Sequence, residues 1–224
     1  MKWILFYFLM VLTGNPLLVL ILFLIVYGIL DRQYFGFFPR LTRFFRRGQE
    51  IRRLIRTLSI NPNDMPAQLA LGRAYVLDGQ AEKALPPLET AFTRMKEFAD
   101  VHYYLGLAYL KTGRKAEGIE QVLKTIQMDP RFQYGEPCLR LGEYYLSVKE
   151  YQKAREMLEH FCSIHTSSSE GYYYLGSVQM ALGNKEEAVK SLRKAIEVFK
   201  ISPRYKKQID RKWTWKARRI LATL

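Results

Sequence analysis

A Leu-Gly pair followed by Tyr three residues after the glycine recurs along this chain at a nearly constant interval. It appears as Leu71, Gly72 and Tyr75, then Leu105, Gly106 and Tyr109, then Leu141, Gly142 and Tyr145. A fourth copy, Leu175 and Gly176, has Gln179 in the Tyr position. The glycines are spaced 34, 36 and 34 residues apart. Twelve residues after each stands a small residue (Ala84, Gly118, Ala154, Ala188), and four further on an aliphatic one (Leu88, Val122, Leu158, Leu192). Gly79, Gly113 and Gly183 mark a turn midway through three of the copies. A period of this length indicates one helix pair per repeat. Small residues let two helices approach closely, while Leu and Tyr fill the space between successive pairs. One pair cannot bury its apolar face alone, so several must stack and both ends need covers.

These residues resemble the tetratricopeptide repeat (TPR). The resemblance covers about 63–201, with 50–62 looking like the second helix of a degenerate leading repeat. It implies an all-α fold, a tetratricopeptide-type α-solenoid of about four helix pairs with capping helices at both ends. Four departures carry structural expectations. Pro86 and Pro87 fall inside a second helix, where proline removes a hydrogen bond and clashes with the preceding turn, so that helix is expected to kink or start late. Lys149 stands where the other repeats have a turn glycine, and Phe161 where small residues are usual. A two-residue insertion near 132–134 is expected to alter the local stacking. Residues 202–224 are expected to form a basic C-terminal capping helix, with Tyr205, Ile209, Trp213, Ala217, Ile220, Leu221 and Leu224 on its inner stripe.

The N-terminus is of a different kind. From Trp3 to Leu30 no residue is charged, and a spanning helix needs only about 20 apolar residues. The run is too long for the apolar core of a cleaved signal peptide and lacks a small-residue cleavage site. Residues 1–38 are therefore read as a membrane anchor that precedes the solenoid. Asn15 and Pro16 are a good helix start, which places the span at about 16–36 and leaves a possible short helix at 3–12. A kinked single span, a span with an interfacial helix and a re-entrant hairpin all remain open, with a single crossing favoured.

The net charge of +14 is unevenly placed. Residues 31–56 carry eight arginines against two acids, and 200–224 carry nine Lys or Arg against Asp210, which leaves 57–199 close to neutral at −1. A repeat surface devoted to nucleic acid is disfavoured by that neutrality. Arginines next to a span are retained in the cytoplasm, so the repeat domain is expected there, in a prokaryote on the inner membrane. Residues 39–62 read as a basic amphipathic linker or capping helix. Its apolar stripe is Leu41, Phe44, Phe45, Ile51, Leu54, Ile55 and Leu58. Arg40, Arg43, Arg46, Arg47, Arg52 and Arg53 suit an anionic leaflet.

Within the resembled family, the first helix of each pair lines a concave groove that takes extended peptides or helices. Matching positions here are Leu69, Arg73 and Val76; Tyr103, Leu107, Leu110 and Lys111; Leu139, Glu143 and Leu146; and Tyr173, Ser177 and Met180. The resemblance implies a protein-protein interaction scaffold or assembly factor whose partner is a peptide, a helix or a membrane-protein tail. A structural subunit of a larger membrane complex is the alternative, as is binding of anionic lipid or RNA by the basic flanks. The Lys and Asn clamp of chaperone-binding relatives is not reproduced. No enzyme activity, cofactor or metal is expected: His102, His160 and His165 lie at unrelated repeat positions, and Cys138 and Cys162 read as small core residues.

Overall fold

The structure, a computed structural model, describes residues 17–21 and 37–223. Besides a short helical run at 17–21, the described residues form ten α-helices and one 3-10 turn, with no strand. They are α1 (Phe37–Ile60), α2 (Met65–Leu77), α3 (Ala81–Phe92), α4 (Ala99–Lys111) and α5 (Lys115–Met128). After the 3-10 turn (Phe132–Gly135) come α6 (Glu136–Ser147), α7 (Tyr151–Ile164), α8 (Ser169–Ala181), α9 (Lys185–Ile201) and α10 (Arg204–Leu221). The chain divides into two compact units, Met1–Gln49 and Glu50–Leu224.

In the first unit, the expected short helix at 3–12 and most of the expected span lie outside the described residues. Among the described residues no helix is long and apolar enough to cross a membrane. Helix α1 starts at Phe37, two residues ahead of the expected boundary at Pro39. Proline is tolerated there because the first helical N–H groups have no partner within the helix.

In the second unit, α2 pairs with α3, α4 with α5, α6 with α7 and α8 with α9, forming four helix pairs stacked in order. Asp64 starts the first pair by accepting a hydrogen bond from the Ala67 N–H at 2.9 Å, with Pro66 in the opening turn. Every pair turns in the same way. The N–H groups of Gln80, Arg114, Glu150 and Asn184 each donate at 2.9 Å to the carbonyl of the recurring Tyr or Gln, at 75, 109, 145 and 179. That closure needs a left-handed residue just before the donor. Gly79, Gly113 and Gly183 supply it at φ 81, 89 and 82°, and Lys149 occupies the same conformation at φ 65°.

The recurring Leu-Gly pair is explained by close helix approach. A methyl group added at Gly142 would lie 2.5 Å from Leu158 Cγ, and Leu158 is fully buried. Phe161, the large residue at a small position, is also buried. Room for its ring comes from Gly171 in the next helix, where a methyl group would meet it at 2.4 Å.

Three expectations are corrected in whole or in part. Of the two outcomes expected of the proline pair, a late start of helix α3 is not seen: Ala81 follows Gly79 by two residues, as Lys115 follows Gly113 and Lys185 follows Gly183. Both prolines lie within it, Pro87 buried beside Leu88, and the Thr90 hydroxyl donates to the Pro86 carbonyl at 2.8 Å. Burial of the apolar face outweighs the two missing N–H donors. On α10 the inner stripe begins later than expected. Tyr205 and Ile209 are exposed, and the buried residues are Asp210, Trp213, Thr214 and Ala217. On α1, Ile51 is buried against Leu71 and Ala74 with Leu54 and Leu58 beside it, whereas Ile55 is exposed.

Candidate functional site

Each first helix carries one residue directly after its glycine, and these four are Arg73, Leu107, Glu143 and Ser177. Arg73 is exposed and the other three are half-buried. Contacts between successive first helices run along this strip. The Arg73 guanidinium lies over the Tyr104 ring, 5.5 Å from its centroid. Lys111, exposed on α4, reaches back to donate to the Val76 carbonyl at 3.3 Å.

The remaining expected groove residues divide by burial. Val76, Leu139 and Tyr103 are buried. Tyr103 is 3% exposed, with its ring 5.3 Å from Phe132 and 5.1 Å from Tyr104. Burial, helped by Glu136, pushes its hydroxyl pKa well up. Its ring supports the strip from beneath and offers no open face. The covering ring comes from the inserted turn, where Gln133 and Tyr134 take positive φ (44 and 60°) and turn Phe132 inward. Leu69, Leu110, Leu146, Tyr173 and Met180 are half-buried.

The strip is organised by a residue outside the expected set. Arg140 on α6 bonds three carboxylates, Glu136 at 2.7 Å, Glu143 at 2.6 Å and Glu170 of α8 at 3.3 Å. Burial opposes the Arg140 charge, but Glu136, Glu170 and Glu143 outweigh it and hold the guanidinium pKa above its ordinary value. Glu170 is displaced the other way. Burial raises its carboxyl pKa, and Arg140 only partly offsets the rise. Tyr174 completes the link by donating its hydroxyl to Glu143 at 2.6 Å. The Glu136, Arg140 and Glu143 spacing of four and three residues is an ordinary intrahelical ion-pair signal. Glu170 arrives from another repeat, and no local pattern announces it.

At the C-terminal end Trp213 of α10 covers the last first helix, its ring 5.3 Å from Tyr173 and 5.0 Å from Tyr174. Lys212 and Lys216 lie over the Trp213 ring at 4.1 and 4.8 Å. The strip therefore runs from a cationic end at Arg73 and Lys111, through an acidic middle around Arg140, to an aromatic end with lysines. Of the expected membrane-surface arginines, Arg46, Arg52 and Arg53 are exposed and Arg47 is half-buried. The side chains of Arg40 and Arg43 lie outside the described residues.

The histidines and cysteines have structural surroundings. His102 is buried, 2.7 Å from Gln121 Oε1 and 2.8 Å from the Lys96 carbonyl. His160 Nδ1 lies 3.2 Å from Cys138 Sγ, a proximity that their sequence positions do not suggest. Burial pushes the Cys138 thiol up to about 11 and the Cys162 thiol up to about 12, so both stay protonated at neutral pH. Among the described residues no group of three or more His, Cys, Asp or Glu is placed to hold a metal ion.

Stacked helix pairs with one fixed turn chemistry and a continuous first-helix strip define an all-α solenoid of the tetratricopeptide type. Tetratricopeptide-repeat family models match residues 69–131 and 169–200, so the chain carries such repeats. Among solved structures, that of MamA is 28% identical, covering 66% of this chain and 85% of that one at a TM-score of 0.60. TTC0263, a thermophilic TPR protein of Thermus thermophilus, is 21% identical, covering 80% and 93% at 0.61. YrrB, described as a TPR protein with an unusual peptide-binding site, is 17% identical, covering 83% and 90% at 0.59. No curated protein matches the chain.

Proposed function

We propose that this protein is a membrane-anchored scaffold whose first-helix strip holds a segment of a partner protein. The observation that carries the reading is the strip itself, with separated cationic, acidic and aromatic stretches across four repeats. A surface of that kind selects an extended or helical ligand by charge order, because charged partners fix register more than affinity. Tetratricopeptide repeats bind protein partners such as peptides, and the TPR protein YrrB, similar in fold, is described by its peptide-binding site. The apolar run at 3–30 and the arginines after it support an anchored chain with its repeats on the cytoplasmic side. Anchoring concentrates the encounter with a membrane-bound or membrane-adjacent partner.

Affinity purification of the full chain from membranes in mild detergent tests the strip. An Arg73→Glu/Lys111→Glu variant, altered at two exposed positions, is expected to lose the partners that wild type retains. Unchanged recovery would remove the strip from consideration. Alkaline carbonate extraction tests the anchor separately, and release of the chain into the supernatant would refute it.

A further inference from the structure

The outward face of α10 is unlike the rest of the solenoid surface. Its inner face is occupied by Trp213 and Ala217, packed on the last repeat. The opposite side leaves Tyr205, Ile209 and Trp215 exposed at 73%, 57% and 60%. Arg204, Lys212, Lys216, Arg218 and Arg219 stand exposed among them. Within α10 no exposed acid accompanies these charges, because Asp210, its only acidic residue, is buried at 5%; from the neighbouring α8, Glu170 acts on Lys212. The Arg219 guanidinium lies 5.6 Å from the Trp215 ring centroid. Such a pair buries its aromatic ring and keeps its cation at the polar boundary.

We infer that this face of α10 is a membrane-contact surface that docks in plane on a bilayer containing anionic lipid. The charge complementarity is one-sided, with six exposed cations and no exposed carboxylate along 18 helical residues. Each Lys or Arg near an anionic leaflet adds attraction, and Tyr and Trp settle at the headgroup level. Ile209 separates this occupant from RNA. An exposed aliphatic side chain gains from the acyl boundary and offers nothing to a phosphate or a base edge, whereas in-plane helices combine all three residue types. Lys212 and Lys216 border both this face and the aromatic end of the strip, whereas Arg204, Tyr205, Ile209, Trp215, Arg218 and Arg219 belong to the face alone, so it can fail while the strip reading stands.

The test uses the full chain reconstituted into vesicles of phosphatidylcholine with or without phosphatidylglycerol, with brominated phosphatidylcholine as the quencher in both. Tryptophan occurs only at 3, 213 and 215, so the difference between wild type and Trp215→Phe isolates the α10 signal. The corresponding difference for Trp3→Phe reports the N-terminal segment. Trp215 emission is expected to be quenched in the anionic vesicles, not in the zwitterionic ones, and to recover at high salt. Arg204→Glu/Arg218→Glu/Arg219→Glu, with its thermal melt checked by circular dichroism, is expected to weaken α10 engagement by roughly 100-fold or more. Unquenched Trp215 in anionic vesicles would overturn the inference, as would equal quenching in both lipids. Retention of RNA lost in the triple variant, with Trp215 still unquenched, would overturn it in favour of nucleic acid.

Discussion

Removing the Arg140 charge should cost the solenoid more than removing any surface ion pair. Three carboxylates lie within 3.3 Å of its guanidinium. The Arg140 side chain is 27% exposed and that of Glu170 20%. At an effective dielectric of about 20, each opposite pair at about 4 Å is worth about 4 kcal/mol, against which stand desolvation and repulsion among the carboxylates. Breaking a fully buried pair costs about 3–5 kcal/mol. For this partly solvated hub, Arg140→Met is expected to lose about 2–3 kcal/mol at neutral pH. In a domain of this size that is a fall in Tm of roughly 5–10 °C. The pH dependence has a definite sign. The Glu170 pKa is raised in the folded state, so its contribution to stability is present in acid and is lost as pH rises through that pKa. Without Arg140, which lowers it, the Glu170 pKa rises further. The gap between wild type and variant should therefore narrow as pH falls to about 4, and Glu170→Gln added to Arg140→Met should recover part of the loss at neutral pH. Thermal melts of the full chain in detergent, followed by circular dichroism, measure all of this. A loss below about 1 kcal/mol at neutral pH, or one undiminished in acid, would refute the hub.

Three further outcomes are expected. Gly142→Ala should destabilise by about 0–2 kcal/mol, overpacking against Leu158 being partly offset by helix propensity; Leu158→Ala should cost about 2–5 kcal/mol. The double variant should cost less than their sum by about 1 kcal/mol or more, and additivity in urea melts would count against the close approach. Lys149→Gly should raise stability by about 1 kcal/mol by relieving a left-handed lysine, so an unchanged or lower Tm would be inconsistent with its φ of 65°. Trp213→Ala should cost about 3–5 kcal/mol and increase hydrogen exchange in α8, whereas exchange unchanged there would deny the capping role.

The repeats were legible because their signals are local and periodic. Gly72 and Leu88, or Gly142 and Leu158, lie 16 residues apart, the interval at which a helix hairpin returns. The turn was legible even where its glycine is replaced, since position alone placed Lys149 in it. Contacts that join one repeat to another were less visible. Phe132 covers Tyr103 only because two inserted residues adopt positive φ, and no pattern of apolar spacing encodes that. Arg140 looks like an ordinary intrahelical pair until Glu170 approaches from 30 residues away. On α10 the periodicity of apolar residues suggested one stripe, but the buried face includes the polar Asp210 and Thr214 and leaves Tyr205 and Ile209 outside. The N-terminal segment was read from hydropathy and charge alone, and most of it lies outside the described residues.

Solenoids carry an inherent hazard, because a repeat that stacks on its neighbour also presents a stacking surface to another molecule. Here α1 displays Arg52, Arg53 and Arg56 at the leading end and α10 its Lys and Arg residues at the trailing end. Head-to-tail filaments would bring these like-charged surfaces together, and like-charge juxtaposition across an interface costs several kcal/mol. Charge alone would thus disfavour polymerisation through these ends, and growth into fibres would be promoted by whatever neutralises one of them.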